Sequence, residues 1–399
     1  MKIQLQNATF YPVIGGIENY LYYVSKALLT LGHMPVVLCF QHDRNLPLQD
    51  TCEGIKIIRH PYKVPFRSIP VYDLLHFKWL GKFIEKNCED TDAVWLRHPY
   101  YCFASGKTNL DLPIIYIQAT AFPLFHRYVL VKPSLVRKVY HTVRNWEDYH
   151  IERHAMERCS KIIVLSKMRL REISEFYDFP RSKFQVIPPG VDLEVFKLRE
   201  RDKNLLKEVE IPENGKVILS VGRIRAEKNF SMLVDAFARL NDKDDTYLVI
   251  VGDGIQKTEL KEKGRALGIE SRLRFPGYRK DIERFYSIAD IFVLPSKYEG
   301  FGHVYLEAMA SGVPCIGLKS DYPKIIVASE EIIKEGETGL LCSNSVADLT
   351  EKIERIISDR KLREKMSRAS REICEKKYSW EKHVKSLLEI TQKFFGQRQ

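Results

Sequence analysis

Two glutamates frame the stretch of this 399-residue sequence most suited to chemistry. Glu299 stands just before Gly300-Phe301-Gly302, and Glu307 follows eight positions later. The apolar run Ile291 to Leu294 reads as a strand, and His303 to Ala310 reads as a helix stopped by Gly312 and Pro314. A glycine turn between strand and helix leaves the first helical amides without intrahelical acceptors, and the helix dipole favours negative charge there. An anionic group therefore suits that place. Glu307 falls on the second turn, so the two carboxylates can flank one polyhydroxylated ligand and accept hydrogen bonds from its hydroxyls. Glutamate is common on helix surfaces, so the spacing alone says little. The tight strand-to-helix turn around Glu299 says more.

The elements that must position these residues repeat along the chain. Ile3 to Leu5 reads as a strand, followed by the loop Tyr11-Pro12-Val13-Ile14-Gly15-Gly16 and a helical stripe of Ile17, Leu21, Val24, Ala27, Leu28 and Leu31. Short apolar runs return at 35–40, 93–96, 114–117, 162–165 and 185–187. Strands alternating with helices predict a parallel, doubly wound α/β sheet. Ile187-Pro188-Pro189-Gly190 and the charged stretch 197–210 break the pattern and predict a linker. A second alternation runs through 217–221, 247–251, 273–275, 291–294, 314–318 and 339–342. The expected domains are 1–195 and 196–379, with the apolar helical stripe of 380–399 returning to complete the first. Sheets of this kind bind ligands in the crevice outside the carboxyl ends of their strands.

Around the two glutamates the sequence resembles the family 4 retaining glycosyltransferases, whose signature is a Glu, seven residues and a second Glu. The resemblance extends over nearly the whole chain: Ser220-Val221-Gly222-Arg223 and Glu227-Lys228-Asn229 are similar to the family's strand-end Gly-Arg and downstream Lys. It implies a GT-B fold, two facing Rossmann-like domains with a cleft between them and a C-terminal helix crossing back. It implies transfer of a hexose-type sugar from a nucleotide diphosphate sugar, GDP- or UDP-linked, to a glycan or lipid-linked acceptor.

The resemblance also assigns roles. Glu299 contacts hydroxyls of the transferred sugar and Glu307 binds the ribose. The amides of Gly300, Phe301, Gly302, His303 and Val304 contact sugar or phosphate. Arg223, with Gly222 beside it, and Lys228 meet the diphosphate, whose negative charge grows as the glycosidic bond breaks. Cations placed there act preferentially on the transition state. Tyr278, in Phe275-Pro276-Gly277-Tyr278-Arg279, is expected beside the nucleotide base. Gly15 and Gly16 resemble the family's Gly-Gly loop, which lets backbone approach donor and acceptor. His98, in Trp95-Leu96-Arg97-His98-Pro99, resembles the strand-end His near the sugar. It either bonds a donor hydroxyl or is a satisfied polar residue at a strand end.

No metal is expected: Asp90-Thr91-Asp92 has an Asp-x-Asp spelling, but it precedes a strand instead of ending one. No cofactor beyond the nucleotide sugar is implied. The segment 319–328 is longer than the family's usual loop and is expected to reshape the donor sugar pocket, leaving Glu331 for the later part of the pattern.

Composition bounds the alternatives. With 45% hydrophobic and 29% charged residues the chain is globular in type. Eight scattered cysteines without zinc spacing read as reduced thiols. The N-terminus lacks a signal-peptide h-region, and no apolar run reaches membrane-spanning length. A cytoplasmic protein is expected. The net charge of +11 suits phosphorylated ligands, nucleic acid or an anionic membrane, and no nucleic-acid-reading module is present. From Phe125 to Trp146 five Lys or Arg interleave with aromatic and apolar residues and no acid. This is either an interfacial helix, placing the protein on the inner membrane face, or a solvated basic face. Two rival functions share the fold: a nucleotide-sugar epimerase, for which no first-domain carboxylate set is evident, and a silent binding protein, against which the intact charged set argues.

Overall fold

A computed structural model describes every residue except 14, 62–71, 109–110, 119–123, 125–134, 242–244 and 396–399; for 72–76, 135–141, 143 and 395 it describes backbone alone. The chain divides into two compact units, Met1–Pro189 with Trp380–Gln399, and Gly190–Ser379.

The first unit is built on eight strands: β1 (Lys2–Gln6), β2 (Met34–Gln41), β3 (Gln49–Cys52), β4 (Ile55–Pro61), β5 (Ala93–Leu96), β6 (Ile114–Gln118), β7 (Lys161–Val164) and β8 (Phe184–Val186). Their order is β3-β4-β2-β1-β5-β6-β7-β8, parallel throughout except for β3 against β4. Chain order reverses beside β1, which lies between β2 and β5, so the crevice at the carboxyl ends of β1 and β5 is the place where such a sheet takes ligands. The β3–β4 hairpin is absent from the sequence reading. Its turn, with Glu53 and Gly54 both at positive φ, joins a polar edge strand to one carrying a buried Arg59 and His60.

The second unit holds β9 (Lys216–Val221), β10 (Thr246–Val251), β11 (Leu273–Gly277), β12 (Ile291–Leu294), β13 (Cys315–Leu318) and β14 (Gly339–Cys342), all parallel in the order β11-β10-β9-β12-β13-β14. Every residue of β12, β13 and β14 is buried, which is why these strands read as unbroken apolar runs. Here the order reverses beside β9, between β10 and β12.

The units part at Gly190, not at 195. Val191 N donates to Tyr378 O at 2.8 Å and bridges Ser379, tying 190–195 into the second unit. The last helical stripe is broken at Tyr378-Ser379, so helix Arg360–Lys377 stays with the second unit and helix Trp380–Phe395 returns to the first. There Trp380 stacks on Tyr23, meets Tyr20 edge-on, and Trp95 Nε1 donates to Thr391 at 3.1 Å. Among the described residues no helix is long and apolar enough to cross a membrane, and all eight cysteines are free.

Candidate functional site

In the second unit the strand ends are shaped by glycine. Gly222 closes β9 at φ 156° and Gly252 closes β10 at φ 138°. A Cβ on Gly252 would stand 2.0 Å from Gly222 O, so the two strand ends approach closely and neither angle nor space admits a side chain there. Arg223 leaves this turn exposed, and its guanidinium meets no hydrogen-bond or ion-pair partner among the described residues. A short 3-10 turn, Ala226–Lys228, follows; Asn229 at φ 56° then starts helix Phe230–Ala238. The Lys228 stem runs back past Gly222, and its ammonium pairs with the Glu299 carboxylate. The two side chains are only 16% and 18% exposed, so both charges are partly desolvated and hold each other.

Glu299 owes its place to backbone on both sides. Lys297 N donates to Glu227 O at 2.8 Å, Glu299 N to Ile326 O at 2.9 Å, and Ile326 N to Lys297 O at 2.8 Å. The long segment after β13 therefore does reach the site's edge: it folds through the Asp321–Ile325 turn and pairs Ile326 with Tyr298, beside Glu299. The carboxylate that closes this segment is Glu330, which accepts from Ser320 N at 2.8 Å; Glu331 is exposed.

Gly302, at φ 95°, caps helix His303–Ala310; a Cβ there would fall 2.7 Å from the Tyr305 ring and 3.3 Å from Glu299 Cγ. Glycine thus lets Glu299 sit directly against the helix start beyond Gly300. Phe301 is buried and meets the His303 ring at 5.8 Å, with Val304 partly exposed behind it. Tyr305 OH donates to Leu294 O at 2.6 Å, fixing this helix to β12.

Glu307, on the second turn, accepts from Tyr286 OH at 2.9 Å. Burial pushes its carboxyl up to about 7, against the opposing pull of the Tyr286 hydrogen bond. Tyr278 stands 66% exposed after β11, where Gly277 O accepts from Gly252 N at 2.8 Å, while neighbouring Arg279 is pinned by Asp281 and Glu208. The second sheet therefore brings Arg223, Lys228, Glu299, the Gly302 helix start and Glu307 to the carboxyl ends of β9 and β12. Chemically this is a pair of cations and a helix N-terminus next to two carboxylates.

The first-unit residues have a different character. Gly15 is the N-cap of helix Gly16–Thr30, in extended backbone without a side-chain cap, and a Cβ there would strike the Glu18 carboxylate at 2.5 Å. Nothing meets a Cβ on Gly16. His98 caps helix Pro99–Ser105, its Nδ1 accepting from Tyr100 N at 3.3 Å. The residue beside it, Arg97, is buried at the end of β5 and was passed over in the sequence; the signal was a charge directly continuing an apolar strand. Asp92 accepts from Lys2 N at 2.6 Å, at the opposite end of the sheet, and among the described residues no group of three or more His, Cys, Asp or Glu gathers that could hold a metal. Of the basic stretch 125–146, residues 125–134 and the side chains of Arg137 and Lys138 lie outside the described residues. Arg144 pairs with Glu147 and Asp148, and Trp146 is 66% exposed.

Two parallel α/β units, the second with charged groups at its glycine-shaped strand ends, define the GT-B class of glycosyltransferases. The solved structure of Alr3699/HepE from Anabaena, in complex with UDP and glucose, shares this fold with a TM-score of 0.74 at 18% identity, over 98% of this chain and 100% of that one. Residues 14–195 match the Glycosyltransferase Family 4 model and residues 202–373 match Glycosyl transferases group 1; the chain belongs to the family 4 glycosyltransferases. It is 25% identical to the uncharacterized glycosyltransferase MJ1607 of Methanocaldococcus jannaschii, over 98% of this chain and 97% of that one. It is 26% identical to the alpha-monoglucosyldiacylglycerol synthase of Streptococcus pneumoniae, over 83% and 74% respectively.

Proposed function

We propose that this glycosyltransferase moves a hexose-type sugar from a nucleoside diphosphate sugar to a glycan or lipid-linked acceptor, with retention of configuration and without a metal. The observation that carries the reading is the Lys228–Glu299 pair, set with Arg223 and the Gly302 helix start at neighbouring strand ends. In this reading Arg223, Lys228 and the amides at the helix start bear the diphosphate and the charge it gains on leaving. Glu299 accepts from sugar hydroxyls, Glu307 from the ribose, and Tyr278 lies along the base. Gly15, Gly16 and His98 serve the donor from the first unit.

Retention follows a front-face course: the C1–O bond to the diphosphate breaks, the acceptor oxygen bonds C1 from the same face, and the acceptor proton passes to the departing phosphate oxygen. The Anabaena neighbour solved with UDP makes UDP-sugars the first donors to try, and the Streptococcus relative makes a diacylglycerol acceptor the first lipid. Peripheral attachment to the inner membrane face, through 125–146, belongs to the same proposal. Flotation with anionic vesicles that is absent, or unchanged on reversing Arg137 and Lys138, ends it.

A thermal-shift screen against UDP- and GDP-sugars tests the donor, because a ligand of the folded state raises the melting temperature by mass action. No stabilisation by any of them defeats the reading. With a donor found, NMR of the product should show the donor's anomeric configuration, and EDTA should leave the rate unchanged; inversion or loss of rate removes those two parts.

A further inference from the structure

The second unit has a cavity at the end of its sheet opposite Glu299. It measures about 400 Å³ and is lined by Asp290, Gly312 and Pro314, at the amino ends of β12 and β13, and by Arg363, Glu364, Ser367 and Arg368 of helix Arg360–Lys377. That volume lies in the range of small-molecule sites. Its charges do not cancel. Asp290 is shared by two arginines: Oδ2 accepts from Arg201 Nη1 at 3.3 Å and from Val217 N at 2.8 Å, and Oδ1 stands 3.8 Å from Arg363 Nε. Glu364 accepts from Arg360 Nε at 2.8 Å, and this bond holds its carboxyl below the usual range, with Arg368 and Arg363 adding to the same field. Two carboxylates thus stand among four arginines.

The arginines differ in how far they are committed. Arg371, one turn beyond Arg368, is taken up by Phe196 O, Ala310 O and Glu375. Arg363 is steered through Nη1 by the carbonyls of Ile356 and Ile357, at the end of helix Val346–Ser358. Arg368 is exposed and makes no hydrogen bond or ion pair among the described residues. Beside these cations the wall is of another kind. Gly312, at φ 74°, leaves space that a Cβ would take: it would fall 2.9 Å from Ser367 Oγ and 2.3 Å from Cδ2 of Leu198, which is 58% exposed. Guanidinium groups suit phosphate oxygens, while carboxylates and a hydroxyl suit the hydroxyls of a ligand's body.

We propose that this cavity is an effector site for a phosphorylated sugar, with Arg363 and Arg368 on the phosphate and Asp290, Glu364 and Ser367 on the sugar hydroxyls. Its place in the fold supplies the coupling. Asp290 directly precedes β12, beyond whose other end stands Glu299. Asp290 N also donates to Val217 O at 2.9 Å, so the same residue holds the start of β9, which ends at Gly222 and Arg223. Gly312 follows helix His303–Ala310, which carries Glu307. A ligand in the cavity therefore acts on three elements that carry the donor-site residues, and reciprocity requires the donor to act equally on the ligand. Only this coupling rests on the transferase reading.

Thermal shift of the full chain saturated with UDP reads the site, with glucose 6-phosphate and fructose 6-phosphate as probes and glucose and inorganic phosphate as their separate parts. Saturating UDP keeps the probes from the donor end. A sugar phosphate is expected to raise the melting temperature by several degrees, inorganic phosphate by less than half as much, and glucose not at all. Arg368→Ala, at an exposed helical position, should keep the wild-type melting temperature and UDP affinity but weaken the sugar phosphate at least tenfold. Lys228→Ala, titrated without UDP, should bind it like wild type. No response to either probe, an equal response in Arg368→Ala, or a response lost in Lys228→Ala overturns the site, and an equal response to inorganic phosphate overturns sugar recognition. Coupling is read as a change of at least threefold in UDP Kd at saturating sugar phosphate, absent in Arg368→Ala; independent binding overturns the effector role. Failure of wild type to bind UDP defeats the transferase reading separately, because Arg368-dependent binding of sugar phosphate is measured equally well without nucleotide.

Discussion

The two units are both parallel α/β sheets, but they bury different polar groups. In the second unit the fully buried polar residues among those described are all hydroxyls, Ser220, Ser296, Ser311, Ser329 and Ser370, with Thr246, Thr338 and Thr350; Glu307, half-buried at the site, adds one desolvated carboxyl. Several close on nearby carbonyls, as Ser220 on Val293 and Ser329 on Leu318. The first unit buries Arg59, Arg97, Asp148, Glu152, Arg169 and Glu172. Glu152 alone accepts from Tyr116 at 2.8 Å, Gln118 at 2.6 Å and Tyr177 at 2.6 Å, donors drawn from β6 and from the end of helix Lys167–Phe176. One unit keeps a plain core and carries its charge at the strand ends, where ligand can reach it. The other carries charge inside, where groups such as Glu152 and Arg59 depend on partners from other elements. Stability and activity should therefore separate cleanly in the second unit and be entangled in the first.

The largest expected effect tests that entanglement. Glu152→Ala strands three buried donors at once and should cost about 3–5 kcal/mol, read from chemical denaturation. A loss under 1 kcal/mol would mean the first unit's buried charges are no more than ornaments of its packing. Lys228→Ala comes next, and on the opposite side of the comparison: turnover should fall about 10²–10³-fold while the melting temperature moves little. Unfolding of this variant would show that the Lys228–Glu299 pair is structural.

Glu307→Gln should show a smaller effect with a definite sign. The folded carboxyl titrates near 7 instead of its ordinary 4.5, so the native state keeps a proton that the unfolded chain sheds between those values. Stability is lost as pH rises through that window, and the full penalty, on the order of 3 kcal/mol, is present above it. The melting-temperature advantage of Glu307→Gln over wild type should thus grow from pH 4.5 to 8. A constant difference would show that this carboxyl is not desolvated. Ser220→Ala, losing one neutral hydrogen bond to a carbonyl, should cost only about 1 kcal/mol.

The same contrast explains what could be read from the sequence. Strands β12, β13 and β14 are uniformly apolar, and the turn through Gly300-Phe301-Gly302 announces itself by composition, so the second sheet and the glutamate pair were visible at once. The first sheet hides its edge because β4 carries Arg59 and His60 in buried positions, where a period-two apolar pattern expects neither. Arg97 was hidden for the same reason: a charge beside an apolar strand reads as the beginning of a loop. His98, read as either a donor ligand or a satisfied strand-end residue, caps the next helix through Nδ1, a contact that its place before Pro99 does not announce. The pairing of Lys228 with Glu299 joins residues 71 positions apart and leaves no local trace. Nor does the bond from Val191 to Tyr378, which moves the boundary between the units to Gly190.

Isothermal titration of UDP into wild type, Lys228→Ala and Glu307→Ala, all checked for native melting, addresses the central claim most directly. The account expects saturable one-site binding to wild type, weakened at least tenfold in both variants, since one loses a cation at the diphosphate and the other an acceptor at the ribose. Binding of equal strength in all three proteins, or none to wild type by UDP or GDP, would contradict it.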